Sequence, residues 1–169
     1  MSRYQKIQFI SWELYTGPYK NPAQAPQAFY SGLSNTQVDY RTDVVGQCWD
    51  ITARLAFIAD AIEKAYAIAD LDPACLKIFM APEFLCRGAG GAYLHDLLNG
   101  WVAGAPTSFA LPPPFNHAWS GLFGGMQNLV ADTRFNDFLF VFGTAVSASF
   151  PTAENVEGLF LLDTTQPGE

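Results

Sequence analysis

Glu83 is the residue whose type and position could do chemistry. It lies in the segment 76–88, Leu-Lys-Ile-Phe-Met-Ala-Pro-Glu-Phe-Leu-Cys-Arg-Gly, where an apolar run ends abruptly in Pro82 and Glu83. A continuous hydrophobic run closed by Pro and then Gly predicts a strand buried on both faces, as in a sheet held between two layers. A carboxylate at the carboxyl end of such a strand stands where open α/β sheets place their ligands. Enclosing Glu83 among Met80, Phe84 and Leu85 would cost several kcal/mol unless it were paired, or protonated with a raised pKa. That environment would make it a general base. The competing reading is a glutamate that turns to solvent once the strand has ended.

Four neighbours in sequence bear on this choice. Cys86, three positions on, could serve as a nucleophile only if the chain turns tightly after the strand; otherwise it packs behind the site. Arg87 would depress the pKa of Glu83 if the two paired, which opposes use as a base. Tyr93, beyond a glycine-rich turn, could line a substrate pocket above Glu83 or simply begin a helix. His117, beside Trp119, could contact substrate or carry a proton, since unperturbed histidine titrates near neutrality; the alternative is a surface-loop histidine. His95, next to Asp96, is expected on an exposed helix face. Trp12, Trp49, Trp101 and Trp119 share no spacing, so no aromatic cage is indicated.

The elements that must position these groups can be read from periodicity. Residues 4–15 alternate, with Ile7 and Phe9 and then Trp12 and Leu14 at period two, which predicts a first strand. A Pro- and Gln-rich connection over 16–39 has no periodicity. Over 42–70, Val44, Cys48, Ile51, Leu55, Ile58, Ile62, Ala65 and Ala69 form one apolar stripe, predicting a long helix capped by Thr42 or Asp43 and stopped by Asp72 and Pro73. After the strand at 76–85, the glycines at 87–92 fit neither a P-loop nor a dinucleotide fingerprint and read as a turn. A short helix at 93–99, a proline-stiffened connection at 100–117 and a helix at 119–133 follow. Strands at 137–146 and 158–163 complete an order that predicts an α/β layered fold.

Composition narrows the class. A chain of 169 residues can bury roughly 70% of its unfolded surface, and with half its residues hydrophobic it has the core to do so. Net charge is −7 and the nine Lys and Arg are scattered, so nucleic acid is not an expected partner. Cys48, Cys75 and Cys86 form neither a disulfide framework nor a zinc pattern, and the two histidines are isolated, so no metal is expected. No signal peptide and no membrane span is indicated. The expectation is a soluble protein of a reducing compartment, most simply the cytoplasm.

The order of elements resembles the amino-terminal half of the carbon–nitrogen hydrolase (nitrilase) superfamily. The first strand, the long amphipathic helix and the hydrophobic strand ending in Pro82 and Glu83 carry the likeness, as does the later helix running into Val141, Phe142, Gly143 and Thr144. Asn155, shortly before the run at 158–163, matches the Asn that opens the family's next strand. The resemblance implies a layered α-β-β-α sandwich, of which residues 1–169 would be a single nitrilase-like domain, incomplete and cut short at its carboxyl end. It also implies Glu83 as the catalytic carboxylate in hydrolysis of amide, nitrile or carbamoyl C–N bonds, with no cofactor. In that mechanism a cysteine thiolate attacks, the Glu serves as base and then acid, and a Lys stabilises the developing charge.

The chain departs from the family pattern in two places. No Lys follows Lys77, and the only Cys after Glu83 is Cys86. Two expectations follow. Either the chain is part of a hydrolase whose Lys and Cys lie on another segment, or it is a non-catalytic partner or assembly subunit that docks through an exposed sheet edge. Expected partners are a small amide or nitrile substrate, and either further copies of the chain or a complementary chain supplying the missing half, since half a sandwich leaves an edge and an apolar face open. A third reading is an unrelated doubly wound protein binding a small ligand at its strand ends.

Overall fold

The computed structural model describes residues 3–14, 43–88 and 92–148. Its elements in order are β1 (Lys6–Ser11), α1 (Val44–Ala67), β2 (Cys75–Met80), β3 (Tyr93–Leu94), α2 (His95–Asn99), α3 (Gly121–Leu129), β4 (Phe138–Val141) and β5 (Ser147–Ala148). Expectations for 16–39, for the strand at 158–163 and for Asn155 lie outside the described residues.

The 24-residue α1 is the longest element. Asp43 caps it, its Oδ1 accepting the Gly46 amide proton at 2.6 Å. The helix stops where Gln8 of β1 competes for its end: Gln8 Nε2 donates to the Ile68 carbonyl, and Gln8 Oε1 accepts from the Asp70 amide at 2.7 Å. Between these limits Cys48, Ile51, Ile58, Ile62 and Ala65 are buried as the apolar stripe requires. Each isoleucine so buried stabilises the fold by about 2 kcal/mol relative to exposure.

β2 is the middle strand of a parallel three-stranded sheet in the order β1-β2-β4. Ile7 pairs with Leu76 and Phe9 with Ile78; on the other side Ile78 pairs with Leu139 and Met80 with Val141. Alternation sends Ile10, Phe79, Phe138 and Phe140 toward α1, where Trp12 meets Phe57 edge-on at 5.0 Å and Tyr66 meets Phe135 at 5.6 Å. The opposite set, including Ile7, Phe9, Met80, Leu139 and Val141, is exposed. The strands at 76–85 and 137–146 were expected to be buried on both faces. Among the described residues one face is covered by helix and the other is open, and each strand is shorter than its apolar run. The fold is therefore of the α/β class, with one helix-covered sheet face and, among the described residues, no second sheet layer against the other.

The short helix expected at 93–99 is split. Tyr93 and Leu94 extend as β3, parallel to β5, and the helix begins at His95. α2 packs on α3, and α3 packs on α1, with Gly125 set close to Leu55. The connection from 100 to 119 closes through aromatic contacts. Trp101 and Trp119 exchange backbone hydrogen bonds, their rings 5.0 Å apart, and Phe115 reaches both Trp119 and, at 4.8 Å, Trp49 of α1. Among the described residues no helix is long and apolar enough to cross a membrane.

Gly100 ends α2 with φ of +67°, and a Cβ there would collide with the Trp119 carbonyl and the Gly121 amide. Gly100→Ala combines the left-handed penalty with a backbone clash. The expected loss is about 2–4 kcal/mol, read as a lowered urea midpoint at unchanged slope.

Candidate functional site

Glu83 stands just past the carboxyl end of β2, where the chain keeps its pairing to the segment after β4. The Ala81 amide donates to the Val141 carbonyl at 2.8 Å, and Cys86 forms a parallel bridge to Ala145. Two strand ends thus run side by side from 81 to 86 and from 141 to 145. Gly143 makes the approach possible: its φ is +75°, and a Cβ there would lie 3.3 Å from the Pro82 carbonyl oxygen and 3.5 Å from Glu83 Oε2. Thr144, the next residue, donates to Glu83 Oε1 from its amide at 3.2 Å and from its hydroxyl through a short hydrogen bond.

This geometry corrects the expected environment of Glu83. The carboxylate is exposed instead of enclosed among Met80, Phe84 and Leu85. Its pKa is lowered, not raised. The Thr144 hydroxyl is the largest cause and the Thr144 amide the next, with the Phe84 amide adding to them against a smaller desolvation effect. Glu83 is therefore an ionised acceptor near neutrality, with Oε1 held by Thr144. Phe84 follows it at φ of +62°, a left-handed conformation rare for a bulky side chain. The Arg87 guanidinium lies over the Phe84 ring at 5.7 Å and does not pair with Glu83.

The other candidates are placed elsewhere. Tyr93 is fully buried, and its hydroxyl donates to Asp50 Oδ2 at 2.5 Å, so it is not a wall of an open pocket above Glu83. His117 is exposed in the aromatic connection, where its carbonyl accepts from Trp101 Nε1 at 2.6 Å. Neither hydrogen-bonds to Glu83. His95 is exposed as expected, its ring beside the Asn99 amide. Cys86 is buried, and burial pushes its thiol up to about 11; burial likewise takes Cys48 to about 12. Such thiols are protonated and inert near neutrality. Among the described residues no cluster of His, Cys, Asp and Glu is placed to hold a metal ion. A cleft of about 280 Å³ lies between β1 and α1, lined by Trp12, Phe57, Ala61 and Ile68 with the Asp60–Lys64 pair; Glu83 is not part of it.

Beneath the Glu83 turn is a polar cluster that the apolar stripe of α1 had obscured. Gln47, Asp50 and Arg54 are buried at spacings of three and four on that helix. Arg54 Nε donates to Asp50 Oδ2 at 2.9 Å, and Nη1 donates to the Leu85 carbonyl through a short hydrogen bond. Gln47 Oε1 accepts from the Leu94 amide at 3.0 Å. The Tyr93 ring faces Arg54 at 5.8 Å, and burial raises the Tyr93 pKa well above its usual value, keeping it a donor to Asp50. A signal was available, since the i, i+3, i+7 polar set borders Cys48 and Ile51 and so must turn inward with them. It was hidden because charged residues at helical spacing usually mark a solvated face.

Compared with protein-family models, with curated proteins and with solved structures, the chain gives no match. What the site can do rests on its own geometry.

Three substitutions test this arrangement. Because the folded pKa of Glu83 lies below its ordinary 4.5, the Thr144 contact stabilises the fold above that pH, and the contribution is lost as pH falls through the lower folded value. Thr144→Val should raise the Glu83 pKa, measured by carboxyl-carbon NMR titration, and shrink that acid dependence. Arg54→Met should cost about 3–5 kcal/mol in urea unfolding, because it leaves Asp50 buried without its cation. Lys64→Ala, at an exposed pair, should cost about 0.5 kcal/mol or less.

Proposed function

We propose that this chain carries the carboxylate half of a site that hydrolyses non-peptide carbon–nitrogen bonds in amides, nitriles or carbamoyl compounds. Its helix-covered sheet would form one side of a nitrilase-type α-β-β-α sandwich. The observation behind this reading is the junction of two strand ends through Glu83 and Thr144. The Pro82–Glu83 and Gly143–Thr144 motifs, 61 residues apart in the chain, meet through that hydrogen bond. Both belong to the resemblance, and they meet at the carboxyl ends of parallel strands, where such sheets put their chemistry.

In this mechanism Glu83 takes the proton from an attacking thiol and returns it to the departing amine. It then activates water against the resulting acyl-enzyme. The thiol and the charge-stabilising Lys come from a second polypeptide segment delivered to the strand ends, because Cys86, the one cysteine that follows Glu83, is buried with its thiol pushed up to about 11. An ionised carboxylate is the form a base needs, and a covering layer that excluded water would lift its pKa toward a working range. A reducing compartment, most simply the cytoplasm, keeps such a thiol available.

A second reading, a non-catalytic assembly subunit, is favoured by the open edges of β1 and β4 and by the uncovered sheet face among the described residues. The deciding experiment measures ammonia release from a panel of primary amides, nitriles and carbamoyl compounds. It uses the chain purified from its native host together with whatever chains accompany it. Turnover is expected, and Glu83→Gln should reduce it by about 10²–10⁴-fold with the circular dichroism spectrum unchanged. Turnover that survives Glu83→Gln, or no turnover across the panel, overturns the hydrolase reading.

A further inference from the structure

The open face of the three-stranded sheet is uncharged throughout. By alternation it presents Ile7, Phe9 and Ser11 from β1, every second residue of β2 through Ile78 to Met80, and Leu139 and Val141 from β4. The parallel registers set these side chains beside one another in rows, Phe9 next to Ile78 next to Leu139, and Met80 next to Val141. Five of them are well exposed: Phe9 at 66%, Ile7 at 57%, Leu139 at 49%, Val141 at 44% and Met80 at 39%. Side chains of this size at those exposures present on the order of 500 Å² of contiguous apolar surface, the upper end of what a soluble monomer leaves open. Parallel sheets are found with both faces covered.

We propose that this face is a dimerisation surface for a second copy of the same chain, the two sheets packing face to face about a two-fold axis. Three observations select that occupant. The strand residues on this face are apolar or uncharged, so it can pack against its own copy, as an isologous contact requires. None of the strand residues on this face carries a charge, so the strands of two copies meet without setting like charges against each other. Two such faces together reach roughly the 1,000 Å² of buried surface at which a specific interface begins. The product is a helix-sheet-sheet-helix sandwich assembled from two chains, its strands crossing at the angle that sheet twist dictates. The dimer uses side chains on the strands and not Glu83, which lies beyond their ends; a second copy fills the sheet layer that the hydrolase reading leaves unassigned, and the thiol and Lys are left to a further segment at the strand ends.

Sedimentation velocity on the 169-residue chain across a micromolar concentration series tests it. A species of twice the chain mass is expected. Phe9→Lys should weaken the dimer on the order of 100-fold with unchanged far-ultraviolet circular dichroism. Ile78→Cys, at the middle of the central strand, should form an interchain disulfide under mild oxidation. This second variant keeps the test decisive if Phe9→Lys fails to fold. A chain that stays monomeric over the whole series overturns the proposal, including a monomer whose open face is covered by its own residues. So does a dimer that tolerates Phe9→Lys and gives no Ile78→Cys cross-link, since that is edge pairing. A different chain found seated on this face also overturns it, while leaving the hydrolase reading intact.

Discussion

Arg54 acts in two directions from one buried point. Through Nε it meets Asp50 one helical turn away, and through Nη1 it holds the Leu85 carbonyl in the turn that follows Glu83. Asp50 in turn receives the Tyr93 hydroxyl, which anchors β3 beneath the same turn. An ion pair taken out of water gains little unless its remaining hydrogen-bonding positions are filled. Here two of them are filled by groups whose placement the strand-end loop needs, a carbonyl on one side and a phenol on the other, while Asp50 Oδ1 is buried without a hydrogen-bond partner among the described residues. The helix, the strand-end turn and the short second sheet are thus fixed relative to one another by a single charged contact.

That anchoring explains how an exposed carboxylate can still be well placed. Glu83 lies outside the apolar core, yet the residues after it, Leu85 and Cys86, are fully buried and tied to α1 and to Ala145. The turn between these states includes Phe84 in a left-handed conformation, and Gly143 lets the opposing loop come close. The chemistry of Glu83 is set by donors rather than by desolvation, which is why its pKa falls. A raised value would require a covering layer over the strand ends.

The framework was legible in the residues because it depends on period and caps. The stripe from Val44 to Ala69 and the Asp43 cap located α1 to within two or three residues at each end. The apolar runs located β2 and β4, and Pro82–Glu83 and Gly143–Thr144 marked the loops that meet. What escaped was what depends on partners distant in sequence. An apolar run of strand length looks alike whether one face or two are covered, so the open face of Phe9 and Leu139 could not be read from β1 or β4 alone. Asp50 and Arg54 carry charges that sequence reasoning assigns to water, and only the helix phase relative to the sheet turns them inward. Tyr93 looked like a helix start because its strand partner, Ser147, lies 54 residues on.

The paired tryptophans at the ends of the 100–119 connection carry a further consequence. With indole rings 5.0 Å apart and inclined at 49°, the transition dipoles of Trp101 and Trp119 are close enough to couple. Phe115 links the pair to Trp49 on α1. The excitonic signature of that pair is an intrinsic optical probe of whether this aromatic lobe is seated on the long helix. It reports without a label, so the docking of the lobe can be followed directly in an unfolding experiment.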